Sequence, residues 1–122
     1  MAYVLWYPIA VSALMSVALF GLWGRLLVRH AVPELNAGLP SIRFHIVAEL
    51  LTAAVLLAGA VWLAVADSPM ARLVAAASLG AIAYSTINSP GYYADRGQRA
   101  VVVVFGVLTV LALTAILVLV TA

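Results

Sequence analysis

The sequence predicts an all-α integral membrane protein, an antiparallel bundle of four transmembrane helices joined by short loops. The first observation behind this fold class is composition: the 122 residues are 67% hydrophobic and only 8% charged. A water-soluble domain normally carries about a quarter charged residues, so a soluble fold is excluded. The second observation is that the apolar residues form four long stretches, each close to the length that a bilayer requires.

The four stretches are predicted to be helices. A hydrocarbon core about 30 Å thick needs roughly 20 apolar residues in a helix, and such stretches occupy residues 3–27, 43–66, 69–87 and 98–120. None shows the period-two alternation of a barrel strand, and lipid offers the backbone no other partners, so we expect helices. Together they make a single transmembrane domain, residues 1–122.

The polar residues beside these stretches predict where helices begin and end. We expect Ser41 to cap the second helix and Ser68 the third, and Asp95 to open a capping box with Gln98 for the fourth. The turn sequence at residues 88–91 ends the third helix. No basic residue precedes the first stretch, and its apolar run is longer than the roughly 7–15 residues of a signal-peptide core, so we expect a retained helix.

Arginine placement predicts the orientation in the membrane. All six basic residues are arginines, and five of them flank the first and third loops: Arg25, Arg29, Arg43, Arg96 and Arg99. The positive-inside rule therefore puts loops 28–42 and 88–97 in the cytoplasm and both termini outside, in the plasma (inner) membrane. Anionic lipid headgroups are the expected partners of these arginines, each attracted by about 1 kcal/mol.

The residue types that are missing exclude several kinds of chemistry. The chain has no cysteine, so disulfides and thiolate metal sites are excluded. The chain has no lysine, so Schiff-base catalysis is excluded too. No Gly-x-Ser-x-Gly motif of a serine hydrolase and no basic nucleic-acid-binding module occurs. We predict no cofactor and no nucleic-acid partner.

Glu49 is the most informative residue, because an acidic side chain at the centre of a span costs roughly 2.5–3.5 kcal/mol. It lies about two turns into the second helix, deeper in the membrane than the lipid headgroups. His45, four residues earlier, is on the same helical face. The polar end of the third helix reaches the same depth in an antiparallel bundle. We therefore predict one polar cluster made of Arg43, His45, Glu49, Tyr84, Ser85, Asn88, Tyr92 and Tyr93.

This cluster has structural alternatives. Polar side chains can simply brace helices, at about 0.6 kcal/mol each on average, and Tyr92 and Tyr93 can act as interfacial anchors, as Trp23 is expected to do. A glutamine would brace equally well without the cost of ionisation, so we expect a functional role for Glu49. Repeated pairs of small residues, including Ala54 with Ala58 and Ala76 with Gly80, indicate a tight bundle with little room for a central pore.

A metal site is a weaker hypothesis. His45 and Glu49 offer two ligands at helical spacing, and the remaining ligands would have to come from His30, Glu34 or Asp95 on the same side of the membrane. A haem between His30 and His45 is not expected, because His30 falls outside the span.

One short segment resembles a known family. Residues 43–49, with Arg43, His45 and Glu49, resemble the start of the second helix in the membrane-bound family of eicosanoid and glutathione metabolism. That family has an arginine, an asparagine and a glutamate there, with its active site at the cytoplasmic end. The asparagine is missing here, as is the proline after the glutamate, and the spacing differs by one. The resemblance implies an enzyme acting on a lipid or thiol as one alternative.

The sequence supports three functions. The first is small-solute or ion binding, or proton-coupled transport, with Glu49 as the titratable site and His45 tuning it. The second is a non-catalytic accessory or assembly subunit of a larger membrane complex, or a homo-oligomer, since the chain has almost no extramembrane mass. The third is a membrane enzyme that acts on a lipid or amphiphile, with Glu49, His45 and a tyrosine as acid–base groups.

Overall fold

A computed structural model describes residues 2–122, and all the regular secondary structure within them is helical. A single 3₁₀ turn, Ala2–Leu5, leads into the first helix. The four long helices are α1 (Trp6–Val28), α3 (Pro40–Val65), α4 (Pro69–Asn88) and α6 (Arg99–Thr121). Two short helices lie in the connections between them, α2 (Pro33–Asn36) and α5 (Pro90–Ala94).

The four long helices confirm the all-helical class, and each is long and apolar enough to cross a membrane. Their ends lie within three residues of the predicted positions. The third helix does end at Asn88, as its turn sequence predicts, but Pro90 then starts α5 at once. Proline is well suited to the first position of a helix, because its missing N–H would be unpaired there anyway.

Only one of the three predicted helix caps is observed. The Ser68 hydroxyl accepts a hydrogen bond from the Ala71 N–H at 3.1 Å, as expected. Ser41 does not cap α3, because Pro40 is already the first helical residue and Ser41 falls inside the first turn. Asp95 does not cap α6 either, because it ends α5, and the chain then turns at Gly97 (φ 71°) before α6 begins.

The ends of α1 and α2 close with left-handed residues. At His30 (φ 51°) and Gly38 (φ 76°) the chain reverses, and the N–H that follows each one bonds to a carbonyl five residues earlier. This arrangement satisfies carbonyls that a helix end leaves unpaired, and glycine is the residue it usually uses. His30 is the one non-glycine residue with positive φ within residues 2–122.

The long helices form an antiparallel ring in the order α1, α3, α4, α6, and α6 closes the ring against α1. We call the end of the bundle with the five arginines that flank the first and third loops the basic end, and the opposite end the Arg72 end. Contacts at the Arg72 end confirm the antiparallel register: the Tyr7 hydroxyl lies 2.6 Å from that of Thr114, and Arg72 donates to the Ala122 carbonyl at 2.7 Å.

The main hydrophobic core fills the half of the bundle towards the Arg72 end. It contains large side chains such as Met15 and Leu63 together with alanines that let the helices approach, such as Ala75 and Ala115. A close approach occurs at Gly59 of α3, where a Cβ atom would lie 3.3 Å from the Cα of Ala75 in α4. Any side chain there would have to displace helix backbone, rather than a movable side chain, by a few tenths of an ångström or more.

The pairs of small residues noted in the sequence do not lie where α3 and α4 approach each other at Gly59. Ala54 and Ala58 are exposed and line a shallow apolar groove on the surface, and a Cβ atom added to Gly80 in α4 would have nothing within 4 Å. The helix face that approaches α4 is instead the one with Leu56, Gly59 and Ala60, all of them buried. Small residues permit close packing of helices, but their presence does not determine which face of a helix packs closely.

Candidate functional site

A cavity of about 910 Å³ occupies the half of the bundle towards the basic end. Its walls come from all four long helices, and the short helices α2 and α5 border its mouth through Glu34 and Tyr92. Small side chains at Ala18, Ser85 and Ser89 line the space without filling it. This cavity overturns the expectation of a tight bundle with little internal room, which holds only for the half of the bundle towards the Arg72 end.

Glu49 lies in the wall of this cavity and is 8% exposed. One carboxylate oxygen, Oε2, accepts a hydrogen bond from the indole Nε1–H of Trp23. The other, Oε1, accepts from the Ser85 hydroxyl at 2.7 Å. The carboxylate therefore joins α1, α3 and α4, and both of its oxygens meet donors that stabilise negative charge.

His45 is the third polar neighbour of Glu49. Its Nε2 atom lies 3.3 Å from Oε1 of Glu49, and its side chain is 44% exposed. The imidazole also packs edge to face against the Trp23 indole, with the ring centroids 6.0 Å apart. His45 thus contacts both the carboxylate and one of its hydrogen-bond donors, and an imidazolium there would offset the charge of Glu49.

The end of α4 and the short helix α5 supply another part of the cavity wall. Ser85 and Ser89 are one turn apart, with their hydroxyl oxygens 3.4 Å from each other. Tyr93 stacks on Phe105 of α6 at a centroid distance of 5.7 Å. At the mouth, the Tyr92 hydroxyl donates to the Glu34 carboxylate at 3.4 Å, which links α5 to α2 across the entrance.

The structure brings most of the predicted cluster together. Six of the eight residues line the cavity: His45, Glu49, Ser85, Asn88, Tyr92 and Tyr93. Tyr84 does not, since it is 72% exposed on the outer surface. Arg43 is exposed as well and is not among the lining residues. Neighbouring residues in a helix point about 100° apart, so Tyr84 cannot share the direction of Ser85.

Trp23 is a hydrogen-bond partner of Glu49 that the sequence does not reveal. The sequence predicts an anchor at the membrane interface, whereas Trp23 is 7% exposed and packs with Val32 and Ile46. A buried indole usually needs an acceptor for its N–H, and Trp23 lies at the same predicted depth as Glu49 on a neighbouring antiparallel helix. That coincidence of depth is the signal that could have identified the pair.

The metal hypothesis finds no support in the geometry. Across residues 2–122, no three side chains of the types His, Cys, Asp and Glu come together as a metal site would need. His45 and Glu49 are adjacent, but no third ligand of these types completes a set with them in that part of the chain. A structural metal site normally has four ligands and a catalytic one at least three.

Charge is distributed unevenly between the two ends of the bundle. At the Arg72 end, Arg72 binds the Asp67 carboxylate through two N–H groups, at 2.7 and 2.8 Å. This hydrogen-bonded guanidinium holds the pKa of Asp67 below its usual value. Within the part of the chain that the structure describes, it is the only arginine–carboxylate ion pair. The basic end therefore has five arginines without such a pair.

Comparison with known proteins gives a family match. The model of a family described as "Domain of unknown function (DUF8058)" matches residues 3–122, which include every residue of the cavity. No curated protein and no solved structure matches the chain.

Proposed function

Since the chain belongs to the DUF8058 family, whose description carries no activity, we propose a function from the cavity: an integral membrane protein that binds a small solute or ion at Glu49 and exchanges it for a proton. The observation that carries this proposal is a buried carboxylate in the wall of a large cavity. Glu49 is also the only acidic residue in the four long helices.

The membrane location is supported by the surface of the bundle. Large apolar side chains are exposed along all four long helices, for example Val55 in α3 and Val110 in α6. In water such a surface would aggregate, whereas lipid solvates it. The five arginines at the basic end favour a cytoplasmic location for that end, with both termini outside.

The surroundings of Glu49 suit a group that changes charge. An isolated ion is costly in a medium of low dielectric constant, but the donors Trp23 and Ser85 stabilise the ionised form. A cation entering the cavity would compensate the charge, and a proton on the carboxyl group would replace that cation when it leaves. Competition between the two for one carboxylate is the simplest basis for coupled exchange.

The cavity favours this function over the accessory subunit predicted as an alternative. A residue that only braces three helices gains nothing from facing open space. A neutral glutamine could keep both contacts at lower cost, with its carbonyl oxygen accepting from Trp23 and its amide N–H donating to the Ser85 hydroxyl. Assembly of a larger complex likewise requires an outer surface and no buried carboxylate.

Exchange can be tested in proteoliposomes of the purified protein with a pH-sensitive dye inside. Outward gradients of Na⁺, K⁺, methylammonium, choline and tetraphenylphosphonium would be imposed one at a time. We expect at least one of them to drive proton uptake faster than in protein-free liposomes, and Glu49→Gln to reduce the rate to that background.

Asp95→Asn is the matched control, because it removes one carboxylate from the same end of the bundle but outside the cavity. Its proton uptake should equal that of the wild type. Equal uptake by the wild type and Glu49→Gln, or no response to any of the five cations, would contradict the proposal.

A further inference from the structure

The lining of the cavity narrows the class of solute. We propose that its occupant is a hydrophobic organic cation, an amine or onium group on an apolar body, whose charge pairs with Glu49. This inference rests on the proposed function, because it takes Glu49 as the binding carboxylate. Three features of the cavity support it: the sign of its charge, the nature of its walls and the lack of a coordination site within residues 2–122.

The lining charge is negative although the surrounding end of the protein is basic. With His45 neutral, the charged side chains that line the cavity are two carboxylates, Glu34 at the mouth and Glu49 deeper inside. None of the five arginines at the basic end is among the lining residues. A positively charged solute would therefore meet a carboxylate at the entrance and a second one within, whereas an anion would meet two repulsive charges in a partly desolvated space.

The walls suit an apolar body. About half of the lining side chains are aliphatic, and Trp23, Tyr93 and Phe105 add aromatic surface. Organic cations are stabilised by aromatic faces as well as by carboxylates. The chain already makes such a contact outside the cavity lining, where the Arg96 guanidinium lies 3.5 Å from the centroid of the Tyr92 ring. A volume of about 910 Å³ falls within the range of about 300–1,000 Å³ typical of sites for drug-sized ligands.

An inorganic cation fits less well. Hard cations such as Ca²⁺ take about six to eight oxygen ligands, but no cluster of three acidic or histidine side chains exists in residues 2–122. The two oxygens of Glu49 already accept hydrogen bonds from Trp23 and Ser85. One hydrogen-bonded carboxylate can balance the charge of an onium group, which needs no coordination shell, but it cannot replace the water around a metal ion.

Binding of tetraphenylphosphonium compared with tetraphenylborate tests the inference, since the two ions share a shape and differ in the sign of their charge. Equilibrium binding would be measured on protein in phosphatidylcholine nanodiscs, with empty nanodiscs subtracted. We expect saturable binding of the phosphonium only. Glu49→Gln should weaken it about tenfold and Glu34→Gln about threefold, as expected for a buried and a partly exposed countercharge. Asp95→Asn should leave it unchanged.

A second variant protects the test against misfolding of Glu49→Gln. Phe105→Ala removes aromatic surface from the α6 wall without touching the Glu49 hydrogen bonds, and it should also weaken phosphonium binding. Saturable binding of tetraphenylborate as tight as that of the phosphonium would overturn the inference, as would phosphonium binding unchanged in Glu49→Gln, Glu34→Gln and Phe105→Ala alike.

The binding and proton-uptake experiments together distinguish failure of this inference from failure of the proposed function. If Na⁺ or K⁺ drives Glu49-dependent proton uptake in proteoliposomes while tetraphenylphosphonium does not bind, the organic-cation class is wrong and the exchange function stands. If no cation drives proton uptake and the phosphonium does not bind, both are wrong.

Discussion

Replacing Trp23 with alanine should lower the free energy of unfolding by about 3–5 kcal/mol, the usual cost of truncating a large buried aromatic side chain. Trp23 is 7% exposed and forms a hydrophobic cluster with Val32 and Ile46. The substitution also leaves Oε2 of Glu49 without its donor. Both losses fall on the contact between α1 and α3, the most extensive helix interface in the bundle.

The two contributions can be separated in the same measurement, unfolding by sodium dodecyl sulfate in mixed micelles followed by circular dichroism. Trp23→Phe keeps an aromatic ring but removes the N–H donor, and we expect a loss of about 1–2 kcal/mol. This exceeds the average of about 0.6 kcal/mol for hydrogen bonds between membrane helices because the acceptor is a carboxylate. Trp6→Ala is the control, since Trp6 is 62% exposed. Equal losses of unfolding free energy for Trp23→Ala and Trp6→Ala would show that burial of Trp23 does not stabilise the bundle.

The second large effect is expected at Gly59. Valine at this position should cost about 2–3 kcal/mol, as overpacking of a well-packed core usually does. Its Cβ would lie 3.3 Å from the Cα and 3.4 Å from the backbone nitrogen of Ala75, and its methyl groups would need further space. Only a shift of α3 relative to α4 can relieve such contacts, because helix backbone cannot rotate away as a side chain can.

Gly80→Val is the matched control for Gly59→Val. Gly80 is also in a long helix, but it is exposed and has nothing within 4 Å of an added Cβ. In the same unfolding experiment it should change stability by less than about 0.5 kcal/mol, as is usual for exposed sites. Equal losses of stability in the two valine variants would contradict the close packing of α3 against α4 at Gly59.

The architecture and part of the site could be predicted from the sequence because they depend on local properties. Hydropathy and length determine the four long helices, and antiparallel connection of neighbouring helices puts Glu49 and Ser85 at the same depth. Their hydrogen bond of 2.7 Å follows from that depth and from the helical faces on which they lie.

The other features depend on how the helices rotate and cross, which one sequence does not specify. The pairing of Trp23 with Glu49, the close approach at Gly59 and the size of the cavity all follow from packing angles. The position of Tyr84 is different, because helical spacing alone is enough to exclude it from the cluster. A helix that turns Ser85 towards the cavity must turn its neighbour Tyr84 away from it.

Reaction with dicyclohexylcarbodiimide measures most directly whether the Glu49 carboxyl group can be reached from the cavity. This lipophilic reagent adds to protonated carboxyl groups. Mass spectrometry of peptides from the labelled protein in nanodiscs at mildly acidic pH should show one reagent molecule on Glu49. Ser89→Phe, which places a ring in the cavity wall, should slow the reaction. An unmodified Glu49, with label confined to Glu34, Asp67 or Asp95, would contradict a reachable carboxylate and the functions proposed from it.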